Sequence, residues 1–366
     1  MDKFNVLHVI TDLGLGGAQK VVLDLCTQRD KSQTNVIVVS LRALEDTIMF
    51  SEFEKNKIKV IVLDLKKSLV SFFSTARQLM QIVKENKIQI LHAHMIHSCF
   101  ISTVVKLVLP QVKVVFTSHS FNLESRFRSL FVFLTKGLRS ADIIFSKKMH
   151  SSFYKNEVAI IPNGISMNSY QIKTPKFDCF TFLCIGRLIT VKNQLALISP
   201  VKNLIGKGFS FKVLLVGDGK DGPIIKAAIK NNNLEDVIIL LGRRTDVPLL
   251  CNKAHCLVLP SLWEGFPIAL LEAGASGLPV ITTNVGSIDT LVDEKTGYLL
   301  SDISQLQQTM KDVIVNYELA KRKGKAFQQV VKTNFSISTV VKQHENLYNK
   351  LLVQPNFTFT DEFISN

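Results

Sequence analysis

Two glutamates, Glu264 and Glu272, stand in the run WEGFPIALLEAGASGLPVI, which is otherwise apolar and studded with glycine. A carboxylate among apolar neighbours is costly unless something pairs with it. Pro267 suits a first helical position, because its missing N–H would be unpaired there in any case. Glu264, Gly265 and Phe266 then read as a loop, and Glu272 as a residue inside a packed helix. A ribose offers two vicinal hydroxyls, the kind of partner a buried Glu272 needs. Glu264 precedes a helix N-terminus, whose free amides can meet a polar sugar. The structural alternative is a capping acid at Glu264 and a buried salt bridge at Glu272.

Cations and glycines occupy comparable places. The stretch CIGRLITVKNQ puts Gly186, Arg187 and Lys192 between a strand and a helix. Arg supplies a planar fork and Lys a point charge, a combination able to hold a diphosphate; a solvated surface pair is the plainer reading. Gly217, in LVGDGKDG, lies in a second strand-to-helix turn, and Gly14, Gly16 and Gly17 follow the first strand in TDLGLGGAQK. Backbone N–H groups in such turns can approach a phosphate or sugar. Gln19 stands where a dinucleotide fingerprint wants glycine, and the second strand ends in SLR without an acid, which argues against NAD. His94 and His119 close two further strands, in HAH and TSH. That pair could share a metal, but no third ligand declares itself. The chain holds no Asp-x-Asp pair for a divalent cation, so positive side chains would have to neutralise a leaving phosphate.

These residues need strands to carry them. Apolar, β-branched runs predict strands at 4–10, 35–41, 59–65, 88–94, 113–118 and 142–146, with amphipathic helical patterns between several of them. The rhythm breaks over 159–178, where Pro162, Asn163, Gly164 and Pro175 mark a linker. A second series follows at 180–188, 211–219, 236–242, 254–261 and 278–284, with helical patterns from about 303 to 351. Strand–helix alternation with apolar strands means parallel sheets covered on both faces, an α/β fold. The expected division is 1–165, 166–340 and a C-terminal helix and tail, 341–366, that packs back toward the first domain. The tail from Val353 is expected to be loosely held.

The 366 residues suit two domains. No run is long and apolar enough for a signal peptide or a membrane span, so a cytoplasmic protein is expected. Six cysteines without a CxxC read as small buried hydrophobes. The net charge of +14 is uneven: residues 1–175 hold 23 Lys+Arg against 13 Asp+Glu, and the rest 21 against 17. Segment 126–155 carries seven cations against one acid, interleaved with Phe and Leu, which suits an anionic membrane surface. No recognition motif accompanies the charge, so nucleic acid is not an expected partner.

In order along residues 5 to about 350, GLGGAQK, HAH, TSH, PNGI, GRL with Lys192, VGDG, PSLWEGFPIALLEAGASGLPVI and TGYLL resemble the retaining glycosyltransferases of family 4. The resemblance implies the GT-B fold, two Rossmann-like domains with a cleft between them. It implies that Arg187 and Lys192 neutralise the donor's departing diphosphate. Glu272 would hold the ribose, and Glu264 with the amides of Gly265 and Phe266, and Pro267 beside them, would meet the donor sugar. Gly16, Gly17 and Gly217 would lie against the diphosphate side. His119 matches the family's active-site histidine, and His94 is an acceptor-side candidate. No enzymatic nucleophile, metal or other cofactor is implied.

The expected reaction moves a sugar from a nucleotide-diphosphate sugar, UDP favoured, to a saccharide acceptor, lipid-linked, in O-antigen or capsule assembly at the inner face of the cytoplasmic membrane. Closure about 162–178 would exclude water from the donor. The rivals are a nucleotide-sugar epimerase or hydrolase on the same fold, and a binding protein without turnover. Two departures touch the site: VGSIDTL places Asp289 where relatives carry a Gly-Gly-x-x-Glu segment, and Ala-Gln-Lys replaces Ala-Glu-Arg or Ala-Glu-Lys in the first loop.

Overall fold

The computed structural model describes every residue except 1, 2, 15, 44–47, 120–124, 152, 153, 155–157 and 354–366. The expected loose tail therefore lies outside the described residues. The chain falls into two units, Met1–Gly164 with Ile337–Asn366, and Ile165–Ser336. The second crossing is at Ser336/Ile337, so the whole helix Ile337–Val353 belongs to the first unit.

The first unit is a parallel sheet of β1 (Phe4–Ile10), β2 (Thr34–Ser40), β3 (Lys59–Val62), β4 (Ile90–His94), β5 (Lys113–Thr117), β6 (Ala141–Ile144) and β7 (Ala159–Ile160), in the order β3-β2-β1-β4-β5-β6-β7. The order turns back between β1 and β4, the point where successive crossovers leave for opposite faces. One face is dry: Leu7, Val9, Val39 and Leu91 pack against Ala76, Leu79 and Val83 of the helix Leu69–Glu85 and Ile101 and Val105 of the helix Ile96–Val108. The other face is mixed. Toward β2, Ile10 and Val38 meet Val22 and Cys26 of the helix Gly17–Gln28. Toward β4, the strands present His8, His92 and His94, and the helix Ile337–Val353 meets them with His344 and Tyr348.

The second unit repeats the plan with β8 (Thr181–Ile185), β9 (Lys212–Val216), β10 (Ile238–Gly242), β11 (Cys256–Leu259), β12 (Val280–Thr283) and β13 (Tyr298–Leu300), in the order β10-β9-β8-β11-β12-β13. Its switch point lies between β8 and β11. The helix Ile268–Ala275 is buried on nearly every side and packs at Gly274 against Phe327 and Val331 of the helix Tyr317–Asn334. Among the described residues no helix is long and apolar enough to cross a membrane.

The basic segment 126–155 is not one amphipathic element. It breaks into the helix Arg126–Leu134, two short 3-10 turns and β6. Arg139 is fully buried, its guanidinium forked onto both carboxylate oxygens of Asp142 at 2.5 and 2.9 Å and capping the Val132 carbonyl at 2.7 Å. That cation is an internal brace and cannot face a lipid. Among the described residues of the segment, the large apolar side chains that face solvent are Phe127, Leu130, Phe133 and Leu134.

Candidate active site

In the second unit, β8 and β11 end side by side, and their loops are stitched together. The Leu262 N–H donates to the Val191 carbonyl at 2.8 Å, and the Asn193 side-chain amide donates to the Pro260 carbonyl at 3.1 Å. Asn193 adopts a left-handed conformation, φ +53°, which asparagine tolerates better than most residues. This stitching brings Lys192 to Glu264. The ammonium donates to both carboxylate oxygens, at 2.6 and 2.8 Å, and the Ser261 hydroxyl donates to Oε1 at 2.6 Å. Glu264 is buried, and Lys192 keeps about a fifth of its side chain in solvent. An ammonium has three N–H donors, so one remains for a ligand.

Arg187 begins the same loop. Its carbonyl accepts from the Gln194 side chain at 3.0 Å, which fixes the backbone, while its side chain is exposed. Gly217 follows β9 at φ +138°, and a Cβ there would overlap the Gly186 carbonyl. The two strand-end turns therefore approach as closely as backbones can. Gly286 was not singled out from sequence, yet it has φ +62° and presses on Glu264, whose carbonyl oxygen a Cβ would overlap. Its signal was the glycine in VGSIDTL, just past a strand end.

Gly265, Phe266 and Pro267 are buried ahead of the helix Ile268–Ala275, and the Phe266 ring packs on Phe335. Pro267 is the residue before the first helical turn, φ −73° and ψ 115°, not the first within it. Glu272 lies inside that helix, as expected, and is buried. A partner invisible in the sequence meets it: the buried Tyr170 hydroxyl donates to Oε1 at 2.7 Å from 102 positions earlier. Tyr170 is held in turn through its carbonyl by the Asn252 side chain at 2.7 Å.

In the first unit, Gly16 precedes and Gly17 starts the helix Gly17–Gln28 behind β1. Histidines of the same unit form a group that is buried at His8, His92, His94 and His344 and half-buried at His119. His8 pairs in register with His92 across the switch point, and His94 with Thr117. His8 Nδ1 and His94 Nε2 are 2.9 Å apart, and His94 Nδ1 and His119 Nε2 3.1 Å. His92 bonds the Tyr348 hydroxyl at 2.5 Å and Thr117 at 2.7 Å. Sequence reading named His94 and His119 here; His8, His344 and Tyr348 come from elements far along the chain. Ring nitrogens of His8, His92 and His94 lie within 4.8 Å of one another, a spacing a metal could share. The hydrogen bonds above already engage both nitrogens of His92 and His94.

Burial disfavours the charged form of every ring in the group. His8 falls to about 3, with His344 and Arg29 adding repulsion; His119 falls to about 3 and His344 to about 4. His92 and His94 are lowered well below the usual range by burial and by their histidine neighbours. All six cysteines are free, and burial pushes the thiols of Cys26, Cys99 and Cys184 up to about 12, away from nucleophilic use. Lys192 lowers the Cys184 value and Glu264 raises it, both by less than burial does.

Residues 15–169 match the family described as Glycosyltransferase Family 4, and residues 179–316 match Glycosyl transferases group 1. The chain belongs to glycosyltransferase family 4. An Escherichia coli galactosyltransferase that joins galactose from UDP-galactose to GlcNAc-diphosphoundecaprenol is 27% identical over 324 residues, 78% of this chain and 81% of that enzyme. The capsular polysaccharide biosynthesis glycosyltransferase CapM of Staphylococcus aureus is 28% identical over 207 residues, 52% of this chain and 53% of CapM. Anabaena HepE, solved with UDP and glucose, superposes with a TM-score of 0.82 at 19% identity, covering 95% of this chain and all of HepE. This glycosyltransferase has the two parallel-sheet α/β domains of the GT-B fold, and its relatives build polysaccharides and glycolipids.

The histidine group makes the family 4 chain acid-sensitive in a defined window. Each ring takes up a proton more readily unfolded, near pH 6.5, than folded, so the unfolded state binds more protons between the two values and stability rises with pH there. Unfolding temperature should fall steadily as pH drops from about 6.5 toward about 4. A thermal melt series checks this, and a flat profile across that window would contradict buried neutral histidines.

Proposed function

We propose that the protein transfers a glycosyl unit from a UDP-sugar to a lipid-linked saccharide during surface polysaccharide assembly, with retention and without a metal. The observation that carries this reading is the Lys192–Glu264–Ser261 node beside Arg187. Glu264 is oriented for sugar hydroxyls. Lys192, anchored on it by two hydrogen bonds, has one N–H left for the adjoining phosphate. Arg187 supplies an unspent fork from the same loop. Together they stabilise negative charge as it develops on the departing diphosphate, the role preorganised donors fill best. Glu272, held by Tyr170, receives the ribose hydroxyls. In the second unit Gly217 lets a backbone amide approach the diphosphate; in the first unit Gly16 and Gly17 offer amides at a helix start, and His94 and His119 offer polar rings to an acceptor. The UDP and lipid-linked choices are supported by the galactosyltransferase relative, whose name specifies both.

The acceptor reading also draws on the rim of the first unit. In a parallel sheet with helical crossovers, helix starts gather at the carboxyl ends of the strands. There Leu69, Val70 and Phe73 open one helix at 78%, 82% and 61% exposure, and Phe127 and Leu130 open another at 70% and 53%. Both helices flank the helix Ile96–Val108, and Lys66, Lys67 and Arg126 stand beside the apolar residues. Apolar tips ringed by cations fit an anionic bilayer.

Product analysis with and without a lipid-linked acceptor separates glycosyl transfer from epimerisation and hydrolysis. Arg187→Ala should lower kcat about 10²–10³-fold with the fold intact, since its exposed side chain braces nothing among the described residues. Tyr170→Phe should instead raise the donor KM, by loosening Glu272. Unchanged kinetics in both variants would remove the donor assignment. Binding to anionic vesicles should weaken as salt is added and be lost when Leu69, Val70, Phe127 and Leu130 are changed to Ser. Equal binding to neutral vesicles, or indifference to those substitutions, would sink the membrane reading.

A further inference from the structure

Met95 follows His94 out of β4 with φ +69° and ψ 165°. That region of backbone space is essentially reserved for glycine, because a Cβ crowds the neighbouring backbone there. Asn193, by comparison, sits at φ +53° and ψ 36°, an ordinary left-handed turn. Met95 is also the residue ahead of the helix Ile96–Val108, a place that favours Ser, Thr, Asp or Asn, and its side chain caps nothing. Backbone geometry asks for glycine and the helix asks for a polar cap; the chain supplies methionine. Local rules are broken in this way where the side chain is needed for something else.

Three anchors hold the conformation. The Met95 N–H donates to the Thr117 carbonyl at 3.3 Å, carrying the β4–β5 pairing one residue past the strand. Its carbonyl accepts from the Cys99 N–H at 3.2 Å and opens the helix. Its side chain packs against the cluster that holds Ile10, Leu13 and Val22. This third anchor shows what the strain accomplishes. Side chains alternate along a strand, so after His92 and His94 on the mixed face, an extended Met95 would join Leu91 on the dry one. The positive φ reverses that step. His94 and Met95 therefore stand together on the histidine face at the carboxyl end of β4, one polar and one apolar. Met95 is half-buried, so part of its side chain is left uncovered there. A saccharide ring has the matching pair of surfaces, hydroxyls at its edge and C–H groups on its faces. We propose that Met95 is a specificity-determining residue of the acceptor side: its strained backbone delivers an apolar side chain to a face of the acceptor sugar, while the polar rings beside it take hydroxyls.

The acceptor half of this inference rests on the glycosyl-transfer reading above; the backbone half stands without it. Thermal melts of Met95→Gly and Met95→Ala in the full chain test the backbone. Both variants lose the side chain, and an unstrained site would make the glycine variant the less stable of the two. The reverse order is expected here. Glycine melting at or below alanine, or failing to fold, would overturn the strain. Steady-state kinetics with UDP-galactose and GlcNAc-diphosphoundecaprenol, the pair named for the galactosyltransferase relative, test the role. Met95→Gly should raise the acceptor KM about tenfold, the scale of one lost apolar contact, at unchanged donor KM. Met95→Leu, which keeps an apolar side chain of similar volume, should restore it. A donor KM that moves as far as the acceptor KM would remove the acceptor role. An active wild type with an acceptor KM indifferent to Met95→Gly would remove that role alone. A wild-type chain inert toward the pair would count against the role and the glycosyl-transfer reading together.

Discussion

Two reversals of strand order govern where chemistry can occur in this chain. At β1/β4 and at β8/β11, neighbouring parallel strands send their connections to opposite faces, and their carboxyl ends are left open. Lys192, Glu264, His8 and His94 hang from these openings, and Arg187 and His119 are tied to them. Lys192 follows β8 and Glu264 follows β11, so the ion pair at 2.6 Å closes the second opening. His8 and His94 come from β1 and β4 and meet at 2.9 Å across the first. Right-handed crossovers make the openings; the side chains only occupy them.

The two openings are furnished by opposite electrostatics. At β8/β11 a buried carboxylate is met by an ammonium and a hydroxyl. Leaving either charge alone would cost several kcal/mol, which ties the loops together as firmly as packing does. At β1/β4 charge is removed instead: imidazoles are buried until they are neutral and then hydrogen-bonded to one another. A charged pocket suits a diphosphate sugar, and a neutral polar one suits hydroxyl groups. The C-terminal helix covers the second kind of surface with His344 and Tyr348, groups compatible with it, where the opposite face of the same sheet is covered by Leu and Val.

Much of this was legible in the sequence because parallel strands buried on both faces read as unbroken β-branched runs. The two strands missed, β7 and β13, have two and three residues, too few to show a period. Loop residues bearing charge after a strand, Arg187, Lys192 and Glu264, were visible for the same reason the strands were. Tyr170 and His8 were not, since each acquires its role from a partner 102 or 86 positions away. Arg139 misled in the other direction. Composition counts it among surface cations, and only the fold reveals Asp142 beside it in a dry interior.

The role proposed for the loops after β8 and β11 is a preassembled site for a nucleotide-diphosphate sugar. Thermal shift with UDP-, GDP- and dTDP-sugars tests it most directly, because a ligand that binds only the folded state raises the unfolding temperature. A preassembled UDP-sugar site gives a concentration-dependent rise with UDP-sugars that is larger than with the other bases and is lost in Glu272→Gln. No rise with any of the three donors, or an equal rise in Glu272→Gln, would contradict it.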